Sequence, residues 1–315
     1  MDFVDIKNVK TVCSIGGGPI GAGWAAFFLA KGLSVKAYLH SEAEEEDYLS
    51  MIETAWVSLE KLHKLANFDL TKLKIYSNLE KAIQDVHFIQ ESAPEILSLK
   101  QNLYARLGTI VSSQVVICSS TSGLTMTDIQ QHCASPERTV VAHPFNPPYL
   151  LPLVEIVGGE KTNSEAVVWV RNFYDHIGKV PLVMKKEIPG FVATRLQEAL
   201  WREALHMVAN DEATPEQIDK ALINGPGPRM AIQGQCLAFH VACGEGGMAT
   251  NLDQFGPALK LPWTRLIAPQ LTKKLRDAMV SGCGDITKGR SFKSLALERD
   301  KKIVEIMKIQ KKEIP

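Results

Sequence analysis

The sequence lacks the features that mark several common classes of protein. Its 315 residues include 35 basic and 35 acidic side chains, so no net charge attracts a nucleic acid or an anionic membrane. The longest apolar stretch, WAAFFLA at 24–30, is far shorter than the roughly 20 residues that cross a bilayer. These absences favour a globular protein that binds small molecules, with no nucleic-acid or membrane partner.

The cysteines lack the paired short spacing of zinc sites and thioredoxin-like centres. They are scattered along the chain as Cys13, Cys118, Cys133, Cys236, Cys243 and Cys283. The start of the chain, MDFVDIKNVK, lacks the continuous apolar core of a secretory signal. We therefore expect reduced thiols, no metal site and a cytoplasmic location.

Short β-rich runs alternate with amphipathic segments through the first half of the chain. VKTVCSI precedes a predicted helix at about 18–31, and LSVKAYL precedes a long polar helix from about residue 42. Further predicted strands begin near residues 74, 86, 115, 138, 153 and 179. This rhythm predicts βαβ units and a Rossmann-type, doubly wound α/β sheet.

The strand signals end at KKEIPG, residues 185–190, and helical patterns such as FVATRLQEALWREALHMVAND and TPEQIDKALING follow. We place a domain boundary here, with a dinucleotide-binding domain at 1–187 and an all-helical domain at 188–315. By analogy with other proteins of this layout, the helical domain is expected to bind substrate and to form a homodimer.

IGGGPIGAGW at 15–24 fits the pattern G-x-G-x-x-G, with Gly16, Gly18 and Gly21 between a strand and a helix. The first glycine permits a tight turn, the second lets the backbone approach a pyrophosphate, and the third allows close packing of helix and strand. The alternative is a turn that only joins strand to helix. The order of elements favours a dinucleotide site.

The acidic residue that usually binds the adenosine ribose at the end of the second strand is missing. Leu39 and His40 stand there instead. His40 is either a ribose contact or an exposed loop residue. The acidic run EAEEED that follows would repel the extra phosphate of NADP, so we expect NAD as the cofactor.

HPFNPPYLLPLVE, residues 143–155, places a titratable group at each end of a stiff segment. His143 follows the apolar strand TVVA, where open α/β sheets bind ligands, and its ordinary pKa suits a general base. Glu155 lies inside LVEIV, where a carboxylate needs a partner. A turn that brings the two together would let Glu155 orient His143, although a histidine in such a turn can be purely structural.

Polar side chains near two other segments are also candidates to line the predicted crevice. Ser119, Ser120, Thr121 and Ser122 come after the strand VVIC and either line the crevice or cap the next helix. Asn146 either binds substrate or the nicotinamide amide, or caps the proline-rich turn.

IGGGPIGAGW, QESAPEILSLK, SSTSGL, HPFNPPYLLPLVEIVGG and IPGFVATRLQEALWREAL resemble, in this order, the 3-hydroxyacyl-CoA dehydrogenase family. The resemblance implies an NAD-binding Rossmann domain, a helical dimerisation domain and a catalytic histidine paired with a glutamate. The matching positions are His143 and Glu155 for catalysis, Ser122 and Asn146 for substrate and nicotinamide, and Glu95 and Lys100 for the cofactor.

The second half, including WREALHMVANDEATPEQID, INGPGPRM and GEGGMATNLDQFGPALKLPW, resembles the branch of this family that oxidises L-carnitine, a free hydroxy acid. Thr194, where the family has asparagine, also argues against an acyl-CoA substrate. Arg229 is our candidate for the substrate carboxylate. The aromatic candidates for the trimethylammonium group are Phe145, Tyr149, Trp201, Phe239 and Trp263. L-Gulonate, 3-hydroxybutyryl-CoA and a non-catalytic binding role remain alternatives.

Overall fold

The computed structural model describes residues 2–63, 69–243, 247–257, 261, 264–265, 270, 272–275, 277 and 292–310. Trp263 and Cys283 lie outside the described residues. The chain divides into two compact units, Met1–Thr194 and Arg195–Pro315. The domain boundary between residues 187 and 188 stays a prediction.

In the first unit, the short apolar runs form the strands of one sheet, as predicted. The strands are β1 (Thr11–Ile15), β2 (Ser34–Tyr38), β3 (Leu73–Tyr76), β4 (Phe88–Glu91), β5 (Val116–Ser119), β6 (Thr139–Pro144), β7 (Leu153–Gly158) and β8 (Val180–Val183). Every residue of β4, β5 and β6 is buried, as expected for central strands covered on both faces.

The strand order is β3-β2-β1-β4-β5-β6-β7-β8. All neighbouring strands are parallel except β6 and β7, which run antiparallel. The chain moves outward in one direction from β1 to β3 and in the other from β4, so the order reverses between β1 and β4. Open α/β sheets bind ligands at such a reversal, outside the carboxyl ends of the strands.

Six helices accompany this sheet among the described residues. They are α1 (Pro19–Ala30), α2 (Glu45–His63), α3 (Leu79–Ile83), α4 (Leu97–Ile110), α5 (Met126–Ile129) and α6 (Ser164–His176). An aromatic cluster joins α1 and α6 to the sheet: the ring of Phe88 in β4 lies 4.5 Å from that of Phe173 in α6 and 6.2 Å from that of Phe28 in α1. The doubly wound α/β prediction is confirmed.

The regular secondary structure described in the second unit is helical, as the sequence predicts. Its helices are α7 (Ala193–Ala209), which begins in the first unit, α8 (Pro215–Asn224), α9 (Gly227–Ala242), α10 (Gly247–Phe255) and α11 (Phe292–Gln310). Thr214 and Gln217 start α8 with a reciprocal capping box. Among the residues searched, no helix has the length and apolarity to span a membrane.

Candidate active site

The glycine loop between β1 and α1 has the geometry of a phosphate site. Gly16 has a positive φ of +118°, and a Cβ there would overlap the carbonyl oxygen of Ser92, just after β4. A Cβ at Gly21 would overlap the carbonyl oxygen of Gly16. Gly18 differs, because a Cβ there would meet nothing within 4 Å. Gly18 precedes Pro19 at the start of α1, and no side chain caps the helix.

This arrangement fits a dinucleotide. The open side of Gly18 leaves room for a pyrophosphate to approach the backbone, and the uncapped amides at the start of α1 can donate to its oxygens. The loop also follows β1, next to the reversal of strand order. The roles predicted for Gly16, Gly18 and Gly21 in cofactor binding stay predictions that this geometry supports.

The end of β2 presents no acid to the loop. Leu39 is 1% exposed and belongs to the apolar core, while His40 is exposed to solvent. The position that usually binds the ribose is therefore filled by a buried leucine.

Lys100 lies in the interior beneath the loop after β4. Its Nζ donates to Glu91 Oε1 at 2.6 Å and to the carbonyl of Ala93 at 3.1 Å, and its side chain is 1% exposed. Ser119 donates to the other oxygen of Glu91 at 2.6 Å. The predicted cofactor contact of Lys100 stays a prediction. Its bonds hold Glu91 at the end of β4, and Glu91 in turn accepts from Ser119 at the end of β5.

Glu95 organises the loop after β5. It accepts hydrogen bonds from the Thr121 hydroxyl and from the amides of Ser122 and Gly123, at 2.5, 2.9 and 3.1 Å. Burial alone would raise the pKa of Glu95, but the bond from Thr121, the charge of Lys100 and the two amides hold it below its usual value. Glu95 thus shapes the turn that presents Ser122.

The four hydroxyls after β5 have different environments. Ser119 and Thr121 are buried against Glu91 and Glu95. Ser120 accepts from Gln90 Nε2 at 2.7 Å and from Trp24 Nε1 at 3.2 Å. Ser120 is half-buried and Ser122 is exposed. That these hydroxyls line the crevice stays a prediction.

His143 and Glu155 face each other across β6 and β7. They are register partners of this antiparallel pair, so their side chains project from the same face of the sheet. His143 Nδ1 lies 2.9 Å from Glu155 Oε2. The other oxygen of Glu155 accepts from the amides of Val192 and Ala193, both at 2.8 Å.

The buried carboxylate is therefore satisfied at both oxygens. Burial by itself would raise the pKa of Glu155, but the bonds from His143 and from the two amides outweigh this effect and lower it. Because an ionised carboxylate only accepts, Nδ1 of His143 carries the hydrogen of this bond, and in the neutral imidazole the free lone pair is then on Nε2. That tautomer can take up a proton.

The proline-rich loop between β6 and β7 is fixed against α1. Pro148 lies so close to Gly23 that a Cβ on the glycine would be 2.9 Å from the proline ring. Lys179 donates to the carbonyls of Pro148 and Leu151, and its Nζ lies 4.0 Å from the centre of the Phe27 ring. The loop that follows His143 therefore packs on the helix that starts at the glycine loop.

Two family descriptions match the chain in succession. The model for "3-hydroxyacyl-CoA dehydrogenase, NAD binding domain" covers residues 11–188, and that for the "C-terminal domain" covers 190–281. The chain belongs to the 3-hydroxyacyl-CoA dehydrogenase family. It is an NAD-dependent oxidoreductase that oxidises a hydroxyl group, which confirms the predicted cofactor and class of enzyme.

Several relatives within the 3-hydroxyacyl-CoA dehydrogenase family are similar over nearly the whole chain. An L-carnitine dehydrogenase of Streptomyces coelicolor is 51% identical over 96% of this chain and 95% of its own. Those of Pseudomonas putida and Bacillus cereus are 44% and 43% identical, over 97% and 98% of this chain and 95% of each relative.

A solved structure is also similar, namely the NAD+-dependent dismutase 5-formyl-3-hydroxy-2-methylpyridine 4-carboxylic acid 5-dehydrogenase. It has 29% identity and a TM-score of 0.83, and the match covers 97% of this chain and 100% of that one.

Two predicted substrate contacts, Asn146 and Arg229, lie outside the hydrogen-bond networks described above. Asn146 is exposed in the proline-rich loop, and Arg229 is exposed in the first turn of α9, in the second unit. Their roles stay predictions.

Lys179 and Glu91 were not anticipated from the sequence. A lysine at a turn before a strand and a glutamate at a strand end are usually solvated, so neither carried a local signal.

Proposed function

We propose that the protein oxidises the 3-hydroxyl of L-carnitine to 3-dehydrocarnitine with NAD. The observation that carries this proposal is the 43–51% identity, over nearly the full length, to relatives named L-carnitine dehydrogenase. The pairing of His143 with Glu155 supports it, because a histidine held in this way can act as the general base that removes the hydroxyl proton. L-Gulonate and 3-hydroxybutyryl-CoA are the competing substrates.

The proposed mechanism assigns proton transfer to His143. Nε2 accepts the hydroxyl proton while the carbon–oxygen double bond forms, and the hydrogen on C3 leaves with its electron pair. NAD, when bound, supplies the acceptor for that hydride. The ionised Glu155 stabilises the imidazolium and keeps Nδ1 protonated throughout, so it acts as a positioning group.

Substrate recognition is proposed for Ser122, Asn146 and Arg229. A trimethylammonium group has no N–H to donate and needs aromatic faces or a carboxylate, whereas the substrate carboxylate calls for a donor such as Arg229. Ser122 and Asn146 have exposed polar side chains that suit the hydroxyl or the nicotinamide amide.

Steady-state kinetics with NAD and each of the three substrates test the proposal. We expect kcat/KM for L-carnitine to exceed that for L-gulonate and for 3-hydroxybutyryl-CoA by at least about tenfold, because a site fitted to a compact zwitterion leaves polar groups unpaired with either rival. A higher kcat/KM for either rival would overturn the assignment to carnitine while leaving the dehydrogenase chemistry in place.

The proposed location is the cytoplasm. The described cysteines Cys13, Cys118, Cys133, Cys236 and Cys243 are all free thiols. Free thiols are typical of a reducing compartment.

We also propose that the helical unit forms a homodimer. Three large apolar side chains, Leu196, Leu200 and Trp201, are 64%, 48% and 47% exposed within two turns of α7. Such a concentration is typical of a covered surface. We expect Leu200→Glu to halve the mass measured by sedimentation velocity, whereas Arg202→Glu, a charge change at a half-exposed neighbour, leaves it unchanged. A monomeric wild-type protein would contradict the proposal.

A further inference from the structure

A carboxylate lies on the glycine loop although the second strand supplies none. A Cβ built on Gly17 would overlap Oε2 of Glu44 and lie 3.4 Å from Cδ2 of Leu39. The Glu44 carboxylate therefore rests against the bare Cα of Gly17, above the buried Leu39. It makes no hydrogen bond among the described residues, so its oxygens are available to a ligand.

The short turn after β2 brings Glu44 back to the loop. Residues Glu42–Glu44 form a single 3₁₀ turn, in which the Ser41 hydroxyl accepts from the amide of Ala43 at 3.2 Å. The Glu44 amide in turn donates to the carbonyl of Ser41 at 3.1 Å. These two bonds reverse the chain directly after the strand, so a side chain five residues beyond Leu39 reaches the same loop.

We propose that Glu44 binds the adenosine ribose hydroxyls of NAD in place of the missing acid at Leu39. In a Rossmann domain these hydroxyls lie between the end of the second strand and the glycine loop, and an acidic side chain accepts their hydrogen bonds. An ionised carboxylate offers acceptors only, which matches two hydroxyl donors. Gly17 serves this arrangement because any side chain there would displace the carboxylate.

A cleft beside the loop suits the adjoining adenine. It encloses about 200 Å³ at the ends of β2 and β3, with Leu39 and Ile75 as apolar lining and Ser77 and Asn78 as polar lining. Glu42 and Glu45 also line it. A 2′-phosphate at the ribose would face Glu44 and these two acids, so the same arrangement selects NAD over NADP by charge repulsion.

Equilibrium titrations of NADH and NADPH, followed by fluorescence with no hydroxy acid present, test the proposal. We expect Glu44→Gln to weaken NADH binding about tenfold or more, the scale of a lost pair of charge-assisted hydrogen bonds, without weakening NADPH. The preference for NADH over NADPH should fall by at least the same factor. Glu46→Gln is the matched control, because it removes the same charge from an exposed neighbour.

A third titration identifies the atoms involved. Wild-type protein should bind 2′-deoxy-NADH more weakly than NADH, and Glu44→Gln should bind the two about equally. The proposal fails if Glu44→Gln keeps the wild-type preference, or if Glu46→Gln loses as much as Glu44→Gln. Melting temperatures of both variants establish that they are folded. Since no substrate is present, these results are independent of whether carnitine is oxidised.

Discussion

Replacement of His143 by glutamine is expected to lower kcat at least about a hundredfold, the scale of a lost general base. Glutamine can still donate a hydrogen bond to Glu155, so the buried carboxylate keeps a partner at Oε2. It cannot take up a proton at neutral pH. The variant should therefore fold and bind cofactor but fail in proton transfer.

The measurement combines kcat for carnitine oxidation with the dissociation constant of NADH. An NADH dissociation constant within about threefold of wild type would show that the nucleotide site is intact. A variant with wild-type turnover would contradict the role of His143 as general base.

Replacement of Glu155 by glutamine is expected to lower kcat by about a hundredfold or more, through the tautomer of His143. Two sets of donors face the two oxygens of Glu155: the amides of Val192 and Ala193, and Nδ1–H of His143. A glutamine has one oxygen and one NH₂ group. If its oxygen faces the amides, the NH₂ faces His143 and moves the ring hydrogen to Nε2, which can then no longer accept a proton.

The opposite orientation of glutamine at position 155 affects stability. Its NH₂ would then face the amides that begin α7, which costs about 1–3 kcal/mol for unsatisfied buried donors. In the wild-type protein, the hydrogen bonds of the ionised Glu155 contribute to the free energy of unfolding, and the lowered pKa of Glu155 makes this contribution depend on pH. It is present above the unfolded pKa of a glutamate and is lost as pH falls through the lower folded pKa, so wild type and variant should converge in acid.

Denaturant unfolding at several pH values, together with kcat, separates the two effects. Glu187→Gln is a matched control, because Glu187 also accepts a backbone amide and a side-chain bond, both from Thr127, but does not contact His143. The control should lose stability with no change in kcat. Equal losses of kcat in both variants would contradict a specific role for Glu155.

The glycine loop and the pairing of His143 with Glu155 were predictable because each has a signal within a few neighbouring residues. Spaced glycines between a predicted strand and a predicted helix indicate a dinucleotide-binding turn. A carboxylate in the apolar run LVEIV needs a partner when it is buried. The antiparallel pairing of β6 and β7 also has a local cause. The eight residues between the two strands are too few for the crossover that parallel strands require.

Other contacts depend on chain segments that meet only in the fold. Lys179 follows the loop it fixes by about 30 residues, and Ser120 joins residues from α1, β4 and the end of β5. Nothing near Glu44 in sequence distinguishes it from the other acids of EAEEED. Only the 3₁₀ turn brings Glu44, and not its neighbours, against the glycine loop. The spacing of hydrophobic residues does not predict where such a turn forms.

The direct register of His143 with Glu155 limits how this enzyme can diverge. Side chains alternate between the faces of a sheet, so a shift of β7 by one residue would turn Glu155 to the opposite side. Substitutions within the loop between the strands can alter which substrates fit. An insertion or deletion in that loop is tolerated only if it leaves the pairing register of β6 with β7 unchanged. New specificities should therefore arise by exchange of residues more readily than by change of length.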